Sequence, residues 1–285
     1  MTLSLLCMPP ALLLQGTDLD ATLKWILLSA VVLCLIVLGL QFFKNLFYAV
    51  TAPTYALRNM GTDDSLFFSI LQVFTGGLFI SYFAMLQQEY ISNSFYSWAQ
   101  GQVGTALAGY SNATYKQIVV DEGVNRMTQV FDLAWNGVIW LPVIWVVLWV
   151  VLSILFWGTS KVFFGNQSGA KVMASTLAYF FVLTGLIGGY FMMHILGSTF
   201  AGTMTSPAAI DLVGMLILAA ALVYLIVCIA QGCDISGVQA AIVFIIWAAI
   251  LGGGIYALVT YQIKPIYDGF LGRLSSSNYV SSGGG

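Results

Sequence analysis

Charge is what this chain has least of. Only 7% of its 285 residues are Asp, Glu, Lys or Arg, against about 25% in an ordinary soluble domain. A water-facing surface cannot be assembled from so little. His194 is the single histidine, which excludes a histidine-rich metal centre and leaves haem or chlorophyll ligation one candidate, at a helix edge. The cysteines are Cys7, Cys34, Cys228 and Cys233, with no CxxC spacing, and Cys34 and Cys228 lie inside apolar runs. They read as small buried hydrophobes. The formal net charge is -2, spread along the chain, so no basic footprint for nucleic acid is present. No cofactor is expected.

Apolar residues fill the space that charge leaves. They make up 60% of the chain, and the mean hydropathy is +0.93. Runs of about 20 apolar residues recur, the length a helix needs to cross a bilayer. The fold class is therefore all-α: a polytopic integral membrane helical bundle of about six transmembrane helices. The expected spans are residues 25–43, 66–86, 138–157, 172–196, 208–229 and 238–261. Asp63, Asp64 or Ser65 supplies a cap for the second, and Pro207 suits the first turn of the fifth.

Within and around this bundle, residues 23–262, the sequence places four other segments. Residues 1–22 are apolar from Leu3 to Leu14, broken by Pro9 and Pro10, and too short to span. They are expected at the interface or docked in a groove, with a cleaved leader as the alternative. Residues 44–65 read as a short surface-lying element, interrupted at Pro53. The connection 87–137 is the sizeable polar region. Its start, EYISNSFYSWAQ, is aromatic-rich and suits the membrane interface. Its second part suits an amphipathic helix whose apolar stripe holds Ile118, Val119, Met127, Val130, Phe131 and Ala134. Residues 263–285 read as a flexible polar tail.

Six spans put both termini on one side. Lys44 and Arg58 lie between spans 1 and 2, and Lys161 and Lys171 between spans 3 and 4, while the loop between spans 4 and 5 has no Lys or Arg. Short loops lead in the positive-inside rule. They place those four residues in the cytoplasm and both termini outside. GTSKVFFGNQSGAK, residues 158–171, then reads as a cytoplasmic turn, eased by Gly165, Ser168 and Gly169. Of the formal sequons at Asn112 and Asn166, the first falls on the outer side.

FYAVTAPTYALRN ahead of span 2, the Gly-rich FFGNQSGAK ahead of span 4 and the last turn and span, DISGVQAAIVFIIWAAILGG, carry a resemblance. In these features residues 44–262 resemble the Yip1-domain family of small multispan membrane proteins, chiefly its bacterial and archaeal members. The resemblance implies five spans, a cytoplasmic lead-in, an external C-terminus and a part in membrane organisation. It points to a prokaryotic plasma membrane. Span 1 and the long segment 87–137 depart from the family pattern.

Three chemistries compete. Catalysis would need a paired set inside the spans; His194 and Asp211, both near the outer face, are the one candidate polar pair, and with no serine neighbourhood or metal set beside them they read as anchors of helix ends. Transport would need ionisable groups at mid-membrane, and spans 1, 3, 4 and 6 have none at their centres. Gly185, Gly188 and Gly189, and Gly252, Gly253 and Gly254, either break helices around a substrate or let helices approach closely. Span 3 carries Trp140, Trp145, Trp149 and Trp157, more indole than lipid contact requires, with Trp145 and Trp149 on one face. These tryptophans and glycines are the candidate helix-packing or partner contacts. The expectation is a non-enzymatic component or organiser of a membrane assembly, in contact with lipid and with other subunits or copies of itself. The alternative is a small-solute transporter or channel.

Overall fold

The computed structural model describes residues 17–54, 57, 65–106, 113–166, 168–189 and 208–269. Every regular element among them is helical. In chain order these are α1 (Thr17–Thr51), α2 (Leu66–Leu86), α3 (Gln88–Ala106), α4 (Ala113–Trp135), a 3-10 turn (Asn136–Trp140), α5 (Leu141–Phe164), α6 (Ala170–Leu183), α7 (Ala208–Cys233) and α8 (Gly237–Leu258). A π-helical turn, Thr184–Gly188, continues α6, and a second, Val259–Ile263, continues α8. Six helical stretches are long and apolar enough to cross a membrane: Thr22–Thr51, Leu66–Leu86, Val120–Phe164, Ala170–Gly188, Leu216–Cys233 and Gly237–Gly269. The chain is thus a multi-span helical membrane protein.

Local signals set the helix ends. Ser65 caps α2, its hydroxyl accepting from the Phe68 N–H at 3.2 Å. Ser236 and Gln239 form a reciprocal capping box at the start of α8. Pro142 occupies the first turn of α5, where its missing N–H costs nothing. Gly165 ends α5 at φ 66°, a left-handed position that glycine tolerates best.

Three segments differ from the sequence reading. Lys44–Thr51 are not a separate surface element: α1 continues through them, because no breaker lies between Leu40 and Pro53 and Phe42, Leu46 and Ala49 turn one face inward. Most of the expected turn 158–171 is helix, since α5 continues to Phe164 and α6 begins at Ala170. Phe164 packs on the core, whereas Phe163 is exposed. Helix also continues past residue 262 to Gly269, where a flexible tail is expected.

The centre of the bundle is α2. It runs parallel to α6, with Ser69 meeting Ser175 and Gly76 meeting Phe181 and Gly185. It runs antiparallel to α5, with Gly77 against Pro142 and the Ser81 hydroxyl donating to the Val138 carbonyl at 2.9 Å. α1 packs on its other side: Leu27 and Val31 cluster with Leu78 and Met85, and Leu38 and Phe42 with Val182. α7 closes on α6 around Met173 and Gly232. Between spans, α3 and α4 form a helical hairpin around Ala99, Val103, Val120 and Val124. Its buried face is not the expected stripe: Ile118 and Val130 are exposed, while Met127 and Phe131 are partly buried. The partner is α3, and its register selects Val120 and Val124 instead.

Candidate functional site

The predicted packing residues fall into an inner and an outer group. Gly185 is the tightest point of the inner one. A Cβ there would meet the Gly76 carbonyl and lie 2.5 Å from the Gly76 Cα. A Cβ at Gly189 would lie 3.2 Å from the side chains of Ile80 and Phe83. α2 and α6 therefore touch backbone to backbone, as small residues allow. Gly188 instead lines a groove described below.

The tryptophans act as a ladder from α5 to its neighbours. Trp145 Nε1 donates to the Phe181 carbonyl at 3.1 Å, and Trp149 Nε1 to the Ala174 carbonyl at 2.9 Å. Trp157 Nε1 donates to the Ser168 carbonyl at 2.9 Å, and Lys161 stands over its ring at 4.9 Å. A helical carbonyl has a second lone pair to offer, so these bonds need not break the α6 helix. The ridge of span 3 is thus mainly an inward surface. Trp149 is 2% exposed, whereas Trp140 is 62% exposed at the end of the ladder. The turn Gly165–Gly169 is tied in as well: Asn166 Oδ1 accepts from the Ser168 N–H at 2.6 Å, and Ser168 Oγ lies 2.8 Å from the Gly232 carbonyl.

The outer group is Gly252, Gly253 and Gly254. A Cβ on any of them would have nothing within 4 Å. They sit where α8 stands away from the bundle. Below them α8 is attached through buried Ala240 and Val243 and through Trp247 Nε1, which donates to Thr159 Oγ1 at 2.8 Å. Above them Tyr267 stacks on Trp98 and donates to Gln102 Oε1 at 3.2 Å. Between these anchors residues 248–256 are exposed on every face of the helix, including Ile250, Leu251, Ile255 and Tyr256. Three successive glycines cost a helix about 2–3 kcal/mol relative to alanine, and no contact among the described residues offsets it.

Two helix irregularities meet inside the bundle. α1 breaks at Gly39 (φ 68°, ψ -178°), a backbone conformation open to glycine and strained for other residues. Leu38 and Phe42, on either side, share a cluster with Leu186 of the π-helical turn in α6. Such turns recur at functional sites. A groove of about 610 Å³ runs beside this turn. Its walls come from Val50 and Pro53 at the end of α1, Thr184 and Gly188 of the turn, and Ala220 and Tyr224 of α7. The wall is almost wholly apolar; the Tyr224 hydroxyl is buried beside the Cys228 thiol.

A polar seam lies between α2 and α6. Ser69 Oγ is 3.1 Å from Ser175 Oγ. From α1, Asn45 Nδ2 donates to the Tyr179 hydroxyl of α6 at 3.4 Å. Gln72 is fully buried, and neither of its amide atoms has a hydrogen-bond partner among the described residues. Burying an unpaired amide costs roughly 1–3 kcal/mol in protein mutational series. Sequence reasoning missed both Gln72 and Gly39. The available signals were a lone amide within span 2 and a lone glycine within span 1.

His194 lies outside the described residues, so the His194–Asp211 pair has no described geometry; Asp211 falls near the start of α7. Cys34 is half-buried, and Cys228 and Cys233 are buried free thiols. Among the described residues no three His, Cys, Asp or Glu side chains gather to hold a metal. No protein-family model, curated protein or solved structure matches the chain. The class that fold and site define is a multi-span helical membrane protein whose last described helix joins the core at its start and stands clear of the other described residues over 248–256.

Proposed function

We propose that this protein is a non-enzymatic component of a membrane assembly, and that the middle of α8 is the surface through which it joins its neighbours. The observation that carries this reading is the all-round exposure of residues 248–256 in a helix anchored at both ends. An apolar stretch that packs on none of the other described residues leaves a surface for lipid or another helix. The open glycine triplet favours a helix, because close backbone approach is what glycine permits and lipid does not need. The order of turns and spans over residues 44–262, which resembles the Yip1-domain family, fits an organising role in a prokaryotic plasma membrane.

Extraction in a mild detergent should give an intact mass above that of the 30.9 kDa chain. In a background lacking the native cysteines, Gly253→Cys should crosslink to a second copy or to an unlike subunit. Gly253→Leu should release the chain as a monomer without lowering its melting temperature, because the position is open within the chain. A strictly monomeric mass and an uncrosslinked Gly253→Cys protein in native membranes would remove the proposal.

We further infer that Lys44, Lys161 and Lys171 face the cytoplasm. Lys171 is exposed beside the Gly165–Gly169 turn. Lys171→Cys should react with an impermeant thiol reagent only in inverted vesicles, and Gln129→Cys on the exposed side of α4 only in right-side-out vesicles. The opposite pattern reverses the topology.

A second reading, small-solute transport, is favoured by the break at Gly39 packed near the π-helical turn of α6. Irregular backbone at membrane depth is a recurrent feature of carrier sites. Solute retained by the purified chain and lost on Gly39→Ala substitution would move transport ahead of assembly.

A further inference from the structure

Gln72 has no partner in the packing of the bundle. Its side chain is fully buried, with both amide atoms unpaired among the described residues. Ser69, Gln72 and Gly76 stand at helical positions i, i+3 and i+7 of α2, on one face. Both neighbours of Gln72 on that face meet α6: Ser69 through Ser175, and Gly76 through Phe181 and Gly185. Gln72 therefore lies in the seam between a pair of hydroxyls and a backbone-to-backbone crossing. Beyond Gly76 the crossing closes the seam. On the other side it is polar, because Ser69 Oγ also reaches the carbonyl of Ser65, the exposed cap residue of α2, at 3.4 Å. Seven residues of helix place Gln72 about 10 Å from that cap.

We propose that the α2–α6 seam binds a water molecule at Gln72, admitted from the Ser65 end. The donor set selects the guest. A primary amide presents an accepting oxygen and a donating NH2 group, so a guest that satisfies both must itself donate and accept. A cation would satisfy Oε1 and confront the NH2 group; an anion would do the reverse. Neither α2 nor residues 172–189 carry a charged side chain to balance an ion. Water meets both requirements, and the hydroxyls of Ser69 and Ser175, which donate or accept as needed, extend the network towards the exposed cap. Buried waters of this kind make about three hydrogen bonds to polar groups that otherwise lack partners.

The test uses the full chain in detergent micelles with 15N-labelled glutamine. Gln72→Met identifies the Gln72 side-chain signal by its loss, and Gln72→Asn serves the same purpose if the methionine variant does not fold. The expected result is a cross-peak from water to the Gln72 NH2 group, with exchange of that group in D2O. Gln72→Met, similar in shape and unable to hold the water, should also melt a few degrees below the parent. A folded sample with no water cross-peak at Gln72 overturns the proposal. So does a Gln72→Met protein that melts higher, because relief on losing the amide means that nothing was bound to it.

Discussion

Gly185→Val should leave no stable bundle. The new side chain would enter the backbone of Gly76, with 2.5 Å between its Cβ and the Gly76 Cα. Neither partner there is a flexible side-chain end, so relief requires moving one helix off the other. Overpacking in cores costs about 1–3 kcal/mol when side chains can adjust. Here they cannot, and the expected loss is at the top of that range or above it. Gly76→Val should act in the same way, since its Cβ would lie 2.8 Å from the Phe181 carbonyl oxygen. Gly252→Val is the control: nothing lies within 4 Å of its Cβ, and the dissociated chain should melt like the parent. Melting in detergent, followed by size exclusion, reads all three. A Gly185→Val protein that melts within two or three degrees (about 1 kcal/mol or less) of the parent would show that α2 and α6 do not cross at Gly76.

The second large effect concerns Trp149. Trp149→Ala removes the largest fully buried side chain and should cost about 3–5 kcal/mol. Trp149→Phe separates the two contributions: most of the volume stays, and the hydrogen bond to the Ala174 carbonyl is lost. Interhelical hydrogen bonds in membranes contribute about 0.6 kcal/mol on average and up to about 1.7, so the phenylalanine variant should lose 2 kcal/mol or less. Trp140→Ala, at an exposed position, should change stability by less than about 0.5 kcal/mol. Equal losses for Trp140→Ala and Trp149→Ala would mean that the ridge of span 3 does not point inward as described.

The helices themselves could be read residue by residue. Uninterrupted apolar length marks a span whatever lies beside it, which is why Leu66–Leu86 begins and ends where expected. Ser65 and Gly165 act within one turn of themselves, so their roles were also visible in the chain. Extent was harder at edges where no breaker stands. α1 runs on to Thr51 because Leu46 and Ala49 find cover on neighbouring helices, and such cover is not written in α1.

The candidate site divides along the same line. Sequence alone determined that the protein lives in a membrane, because so few charges cannot clothe a water-facing surface, and it singled out the glycines and tryptophans as contact residues. It could not say which contact each makes. Gly185 and Gly253 are chemically identical and both sit in apolar helices; one is closed against Gly76 and the other is open. The difference arises from which helix stands opposite, a relation between segments more than 100 residues apart in the case of Gly76 and Gly185. Gln72 and Gly39 follow the same rule. Which groups surround a buried amide is set by the helices packed around it, and the positive φ at Gly39 is a property of the folded backbone. Composition and length act through the solvent, which every residue meets independently. Contact acts through the fold, and tertiary structure alone decides it.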